Sequence, residues 1–305
     1  MTTNSILFND YIKEYLKAKE EVFSESTNRT YRSLFNNHIR PFFKDTCIDS
    51  LNRRQLQHFI DTLKTSINMA IAFLKTILKE LYIDELIDRD FASMLKRPPK
   101  VPLVLKRKQA LTQEQIKDFF TVLQGTKREY LIRLMFATGI RIGEALALQW
   151  SDFLWSTKGI TISITKTFDE HSKLIHSPKT TFSNRKVYLT EPYTMELLRT
   201  HYENLTIKDD SEFIAHSLKD THQPITRATI KEALKNASRK VNLPFIVTPH
   251  HARVNYASYS LAKGISEKNL QEQLGHSNTI LIHTVYGKPI GDRLNQLMEH
   301  CSLYD

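Results

Sequence analysis

Four short stretches of the sequence hold cationic and nucleophilic side chains at spacings that suit phosphate chemistry. In ATGIRIGEALALQW, residues 137–150, Gly139 closes one helical pattern and Arg141 starts the next, three residues before Glu144. Residues three apart share a helix face, so the carboxylate can hold the guanidinium. An arginine at a helix start, beside backbone N–H groups without intrahelical acceptors, makes a phosphate clamp. The same pair also fits an ordinary surface ion pair. In SPKTTFSNRKVYL, residues 177–189, Lys179 falls on or beside a hairpin turn between strands. From there a lysine can reach into a groove to bind a phosphate or donate a proton, although turn lysines are common. In TPHHARVNYASYSLAKG, residues 248–264, Thr248 caps a helix, Pro249 suits its first position and Gly264 ends it. His250 and Arg253 then lie one turn apart on one face, while His251 points elsewhere. The bland reading is a partly buried histidine beside a surface arginine. In LQEQLGHSNTILIHTVYGK, residues 270–288, Gly275 breaks a helix, His276 follows it and Ser277 caps the next. Tyr286 comes near the end of that helix.

These residues need elements to position them. Residues 6–20 carry Leu7, Tyr11, Tyr15 and Ala18 at helical spacing. Ser26 or Thr27 is expected to cap a second helix, which Pro41 ends. Asn52 caps a third, with Leu56, Phe59, Ile60 and Leu63 apolar, and Ser66 a fourth, with Ile67, Ala70, Ile71, Leu74, Leu78 and Leu81 in a stripe. The expectation is a helical bundle over residues 1–95. Residues 96–110 contain KRPPKVPLVLKRK, whose prolines and basic residues mark a linker. Lys96, Arg97, Lys100, Lys106, Arg107 and Lys108 suit contacts with a phosphate backbone, or simply keep a linker solvated. A second domain is expected over residues 111–305. Thr112 caps its first helix, and further helices cover 127–138 and 141–149. ITISITKTF and RKVYL alternate with period two, which predicts a small antiparallel sheet within 153–190. Helices return at 191–205, 226–241, 249–263, 266–274 and 277–286. The fold class is mainly α with one small antiparallel β-sheet, in two domains.

Composition narrows the partner. Lys plus Arg number 43 against 33 Asp plus Glu, a net charge of +10, and the pI is about 9.4. Such a basic balance suits a polyanion, most commonly nucleic acid, though basic enzymes of other kinds share it. The two cysteines, Cys47 and Cys301, stand in no metal-ligand spacing, which argues against a disulfide scaffold or zinc ribbon and fits a reducing compartment. No signal-peptide pattern opens the chain and no apolar run reaches the ~20 residues of a membrane span, so a cytoplasmic protein without a membrane partner is expected. No Walker loop, HExxH or paired-aspartate metal site competes with the four clusters.

Taken in order, Arg141, Lys179, His250-x-x-Arg253, Leu-Gly-His276 and Tyr286 resemble the boxes of the tyrosine recombinases, the phage integrase family. TNRTYRSLFNNHIRPFF followed by INMAIAFLKTIL is similar to that family's helical core-binding domain. Where the family commonly has histidine after the second arginine, this chain has Val254, which bears on local packing.

The resemblance implies a site-specific recombinase that needs neither metal nor ATP, and no cofactor. Tyr286 would attack DNA phosphorus to give a 3′-phosphotyrosyl link. Arg141 and Arg253 would hold the non-bridging oxygens, Lys179 would protonate the 5′-oxygen and His250 would act as general base. His276 would hydrogen-bond the phosphate and Glu144 would orient its neighbours. It further implies double-stranded DNA as partner and a homotetramer assembled on two DNA sites, with accessory DNA-bending or excisionase factors. A tail with Ile290, Leu294, Leu297 and Met298 on one face suits docking on a neighbouring protomer or on its own domain. The expected role is integration or excision of a phage or mobile element. Alternatives are a Xer-type chromosome-dimer resolvase, a type IB topoisomerase and a non-catalytic DNA-binding regulator.

Overall fold

The computed structural model describes residues 6–64, 66–98, 110–170, 174–176, 184–205, 209–217 and 223–275. The chain divides into two units, Met1–Leu105 and Lys106–Asp305. In the first, the apolar stripes form α1 (Phe8–Ala18), α2 (Glu25–Leu34), α3 (Arg40–Phe43), α4 (Arg53–Thr62), α5 (Ile67–Ile83) and α6 (Phe91–Met94). The long α5 buries Ala70, Ile71, Phe73, Leu74, Ile77, Leu78 and Leu81. They share one core with Phe8 and Ile12 of α1, Phe43 of α3 and Phe59 of α4. Each such Phe, Leu or Ile contributes roughly 1.5–3 kcal/mol by leaving water. Tyr31 stacks on Phe73 with ring centroids 4.5 Å apart.

Local details depart from the sequence expectations at three caps or breaks. The second helix is capped by Ser24, whose side chain accepts from the Thr27 N–H, and not by Ser26 or Thr27. Glu25 in the first turn favours this earlier start by opposing the helix dipole. Pro41 does not end that helix. A π-helical turn, Phe35–Ile39, precedes it, and α3 carries the proline in its first turn. The wider turn absorbs the missing N–H and the ring as a change of register. Asn52 caps α4 through its side chain as expected. Ser66 stands at the start of α5 in a left-handed conformation, φ +56°, and its side chain makes no capping bond. Lys96 is held against α4, its N–H donating to Gln57 Oε1 and its carbonyl accepting from Gln57 Nε2.

The second unit begins with α7 (Gln113–Leu123), where Thr112 and Gln115 form a reciprocal capping box. Helix α8 (Glu129–Thr138) stops at Gly139 and α9 (Ile142–Ala147) follows. Then come β1 (Phe153–Trp155), β2 (Ile160–Ile164), β3 (Thr167–Asp169), β4 (Leu174–His176) and β5 (Arg185–Leu189). The described part of the unit continues with α10 (Pro192–Glu203), α11 (Arg227–Lys240), α12 (Pro249–Ala262) and α13 (Glu267–Leu274).

The single expected sheet is two sheets among the described residues. One has antiparallel order β1-β2-β5, with Ile162 opposite both Phe153 and Val187; the other pairs β3 with β4. The chain leaves the first sheet after Ile164, where Lys166 turns toward Asp152 at 3.1 Å. The described strands before and after Lys179, β4 and β5, therefore belong to different sheets. Ile160, Ile162, Ile164, Val187 and Leu189 point into a core shared with Leu131, Ile132, Leu134 and Met135 of α8 and Leu198 of α10. No helix among the described residues is long and apolar enough to cross a membrane.

Candidate active site

The site grows from two abrupt helix ends. Gly139 ends α8 at φ +69°, and a β-carbon there would lie 2.7 Å from both Tyr256 and Leu274 side-chain atoms. Both backbone sign and space require glycine, and the resulting turn sends the chain directly into Arg141 at the cap of α9. Gly275 ends α13 in the same left-handed conformation, φ +65°.

Three arginines from different elements converge on the C-terminal turn of α13. Arg185 of β5 donates from Nε to the Gln273 carbonyl at 2.8 Å. Arg253 of α12 donates to the Leu274 carbonyl at 2.6 Å and to the Gly139 carbonyl at 2.8 Å. Arg141 donates to the Gly275 carbonyl at 3.2 Å. Carbonyls at a helix end lack intrahelical donors and carry the negative end of the dipole, so cations there are favoured.

One carboxylate serves two of these cations. Glu144 Oε1 accepts from Arg141 at 2.8 Å and from Arg185 at 3.1 Å. Its Oε2 accepts from Arg185 and from the Arg141 backbone N–H, each at 2.8 Å. Glu144 is 4% exposed and Arg185 6%. Burial alone would push the Glu144 pKa up. The hydrogen bond and charge of Arg185, then the backbone bond and charge of Arg141, outweigh it and hold the carboxyl below the usual range. The expected pairing of Arg141 with Glu144 is present, but as part of a buried network and not as a surface ion pair.

The three guanidiniums and the one carboxylate leave a local excess of two positive charges. Arg141 is the member facing solvent, its side chain 43% exposed. A guanidinium has five N–H donors; two of Arg141's have acceptors among the described residues, so three remain for an incoming anion.

Helix α12 delivers the other predicted pair in an order opposite to the bland reading. Arg253 is buried at 4% exposure while His250, one turn earlier, is exposed. Thr248 sits at the cap, and its backbone N–H donates to His251 Nδ1 at 2.9 Å. His251 is buried and stacks on Phe245, so it serves the helix start, in line with the expectation that it points elsewhere. Val254 is buried with Ala257, Leu270 and Leu274, so an apolar contact between α12 and α13 occupies the position after Arg253.

Lys179, His276 and Tyr286 lie outside the described residues, as do Lys100, Lys106, Arg107, Lys108 and the tail residues. Lys96 and Arg97 are exposed. Arg185 was not among the expected site residues. Its signal lay in the alternation of RKVYL, which sets Arg185, Val187 and Leu189 on one face of β5. Val187 and Leu189 face the core, so an arginine in phase with them needs a buried partner.

The family model described as "Phage integrase family" matches residues 109–288, and the model for its N-terminal SAM-like domain matches residues 7–64. The chain belongs to the phage integrase family. Among curated relatives of this integrase-family chain, the tyrosine recombinase XerA of Pyrococcus furiosus is 25% identical over 92% of this chain and 90% of its own. The ICEBs1 integrase of Bacillus subtilis is 23% identical over 97% and 84%. The Tn1549 transposon integrase in complex with a circular intermediate DNA shares the fold at TM-score 0.76, with 19% identity over 98% of this chain and all of that one. A lambda integrase dimer bound to a COC′ core site does so at TM-score 0.68, with 17% identity over 95% and 79%. This integrase-family chain is a tyrosine recombinase that acts in DNA strand exchange.

Proposed function

We propose that this recombinase integrates or excises a mobile element by forming a 3′-phosphotyrosyl bond between Tyr286 and DNA. The observation that carries the reading is the surplus of guanidinium charge around Glu144, with Arg141 open to solvent. A phosphodiester undergoing attack gains negative charge on its non-bridging oxygens, and preorganised donors in a partly dry site stabilise it. Arg141 and Arg253 hold those oxygens, and Glu144 keeps Arg141 in place. The Tyr286 hydroxyl oxygen bonds to phosphorus as the bond to the 5′-oxygen breaks. His250 takes the phenolic proton, Lys179 gives a proton to the departing 5′-oxygen and His276 hydrogen-bonds the phosphate. Cationic side chains here do the work of charge stabilisation without metal or ATP. The phosphotyrosyl bond conserves the energy of the broken one, so a partner 5′-hydroxyl can reverse the step.

The same reading has four protomers acting on two DNA sites, as in the lambda integrase tetramer described on a Holliday junction. The basic stretch Lys96–Lys108 lies along the phosphate backbone. The domains are core-binding over 1–95, linker over 96–110 and catalytic over 111–305. A groove of about 600 Å³ lined by the aromatic residues Phe120, Phe136 and Tyr256, with Arg133, Glu191 and Lys263 also in its wall, is the receptor on this reading for the tail bearing Ile290, Leu294, Leu297 and Met298. The chain acts in the cytoplasm, where DNA-bending or excisionase factors set direction.

A plasmid carrying two sites, mapped from the ends of covalently trapped DNA, tests the reading. Strand exchange between the sites supports it. Relaxation of supercoils without exchange indicates a topoisomerase, and site-specific binding with neither indicates a regulator. An excisionase gene and attachment site next to the coding sequence distinguish the integrase role from a Xer-type one.

A further inference from the structure

We infer that Arg185 is a positioning residue for strand cleavage: it locks the C-terminal turn of α13 to Glu144 and thereby sets the two phosphate-binding arginines at a fixed separation. The inference deepens the proposed function and rests on it. Arg185 bonds to Glu144 through two nitrogens and to the Gln273 carbonyl at the α13 end through the third, while Arg141 makes a lighter parallel link, one nitrogen to Glu144 and one to the Gly275 carbonyl. Arg141 is held by the same Glu144, and Arg253 by the next carbonyl of the same turn, Leu274. One path that fixes the relative placement of Arg141 and Arg253 therefore runs through Glu144, Arg185, Gln273 and Leu274, beside the direct bonds of Arg141 to the Gly275 carbonyl and of Arg253 to the Gly139 carbonyl.

A second tie strengthens the path. The Gln273 side-chain amide donates to the Tyr188 carbonyl at 3.2 Å and accepts from the Tyr188 N–H at 3.3 Å. It thus occupies, as a neighbouring strand would, the edge of β5 that pairs with no strand among the described residues. With Arg185 on its main chain and Tyr188 on its side chain, Gln273 is fixed to β5 at both ends. Contact with Gly275 is equally close: a β-carbon there would lie 3.0 Å from Arg185 atoms. Gly275 precedes His276 directly in sequence, so the turn that Arg185 holds is also the one from which the chain leads to His276 and Tyr286.

Only a planar fork meets these demands. A lysine at 185 presents one nitrogen and cannot reach both Glu144 oxygens and the Gln273 carbonyl together. The role is indirect, since all three guanidinium nitrogens of Arg185 already donate to Glu144 or to the Gln273 carbonyl, and it acts by placing Arg141 and Arg253.

The test compares wild type with Arg185→Lys and Arg185→Ala on a nicked duplex built around a mapped cleavage site. A displacement of the phosphate donors by about 1 Å should slow single-turnover cleavage about 100-fold at saturating protein. Duplex affinity should change by less than about threefold, because most of it comes from other phosphate contacts. Arg185→Lys should stay slow, and free guanidinium ion should restore Arg185→Ala at least about tenfold while methylammonium does not. Full-rate cleavage by Arg185→Lys, or a rate loss matched by lost affinity, overturns the inference. A second arm needs no reaction. In amide hydrogen exchange on the whole chain, Arg185→Ala should release the α13 end and α9 together while α10 stays protected. Release of α13 alone overturns the path through Arg185 even if wild type forms no DNA adduct, an outcome that would instead defeat the proposed function.

Discussion

The bundle at the N-terminus and the arginine cluster in the catalytic unit are held together by opposite means. In the bundle, α5 meets α1, α3 and α4 through aromatic and aliphatic side chains, and the charged groups stay outside. In the cluster, Glu144, Arg185 and Arg253 are buried and each is tied to a named partner. Apolar packing tolerates substitutions of similar volume, because its energy is spread over many contacts. A buried ionic network does not, because removal of one member leaves an uncompensated charge. The first region is held by apolar packing, and the second holds a surplus of positive charge in fixed places.

Four substitutions or conditions separate the two behaviours. Phe73→Ala in the bundle core should lower unfolding free energy by about 3–5 kcal/mol in a denaturant titration. Cleavage per folded molecule should stay at the wild-type rate; a fall would show that the bundle also shapes the site. Arg253→Ala should do the reverse, slowing single-turnover cleavage by about 10²–10³-fold, the effect of losing one preorganised oxyanion donor. A cleavage rate within a fewfold of wild type would remove Arg253 from the site. Gly139→Ala should cost about 1–3 kcal/mol, from the positive φ and from overpacking against Tyr256 and Leu274. It should also slow cleavage, since the Gly139 carbonyl holds Arg253.

The smallest effect expected is that of pH. The Glu144 pKa is lowered in the folded chain, so its contribution is complete above the ordinary glutamate value of about 4.3 and is lost as pH falls through the lowered one. Stability should therefore show no Glu144 dependence between about pH 6 and 8. An acid limb should appear only at low pH and should shrink in Glu144→Gln. An acid limb unchanged in that variant would assign it to other carboxylates.

The contrast also explains what the sequence disclosed. Apolar periodicity writes itself along a single helix, so the stripe of α5 and the alternation of β2 and β5 were readable. Capping is local too, and Asn52, Thr112 and Gly139 stand where they were expected. Pro41 misled because the π turn that accommodates it leaves no mark in the residue pattern. The split into two sheets is a matter of which strands pair, a choice that strand propensity does not encode.

The candidate site was legible as residue types in order, and Arg141, Glu144 and Arg253 meet around the end of α13. Their burial was not legible. Arg253 looks like a surface residue in sequence because its acceptors, the carbonyls of Gly139 and Leu274, are 114 and 21 residues away. Arg185 escaped for the same reason: its partners lie 41 and 88 residues away, and neither contact can be read from β5 alone.

The central claim is a covalent bond between the phenol of Tyr286 and DNA in a pocket of fixed guanidinium charge. The most direct measurement is mass spectrometry of proteolysed adducts trapped on a nicked duplex in the presence of a metal chelator. One modified peptide is expected, spanning Tyr286 and carrying a 3′-linked nucleotide, absent from Tyr286→Phe. An adduct on another residue, or one that forms only when a divalent metal is restored, would contradict it.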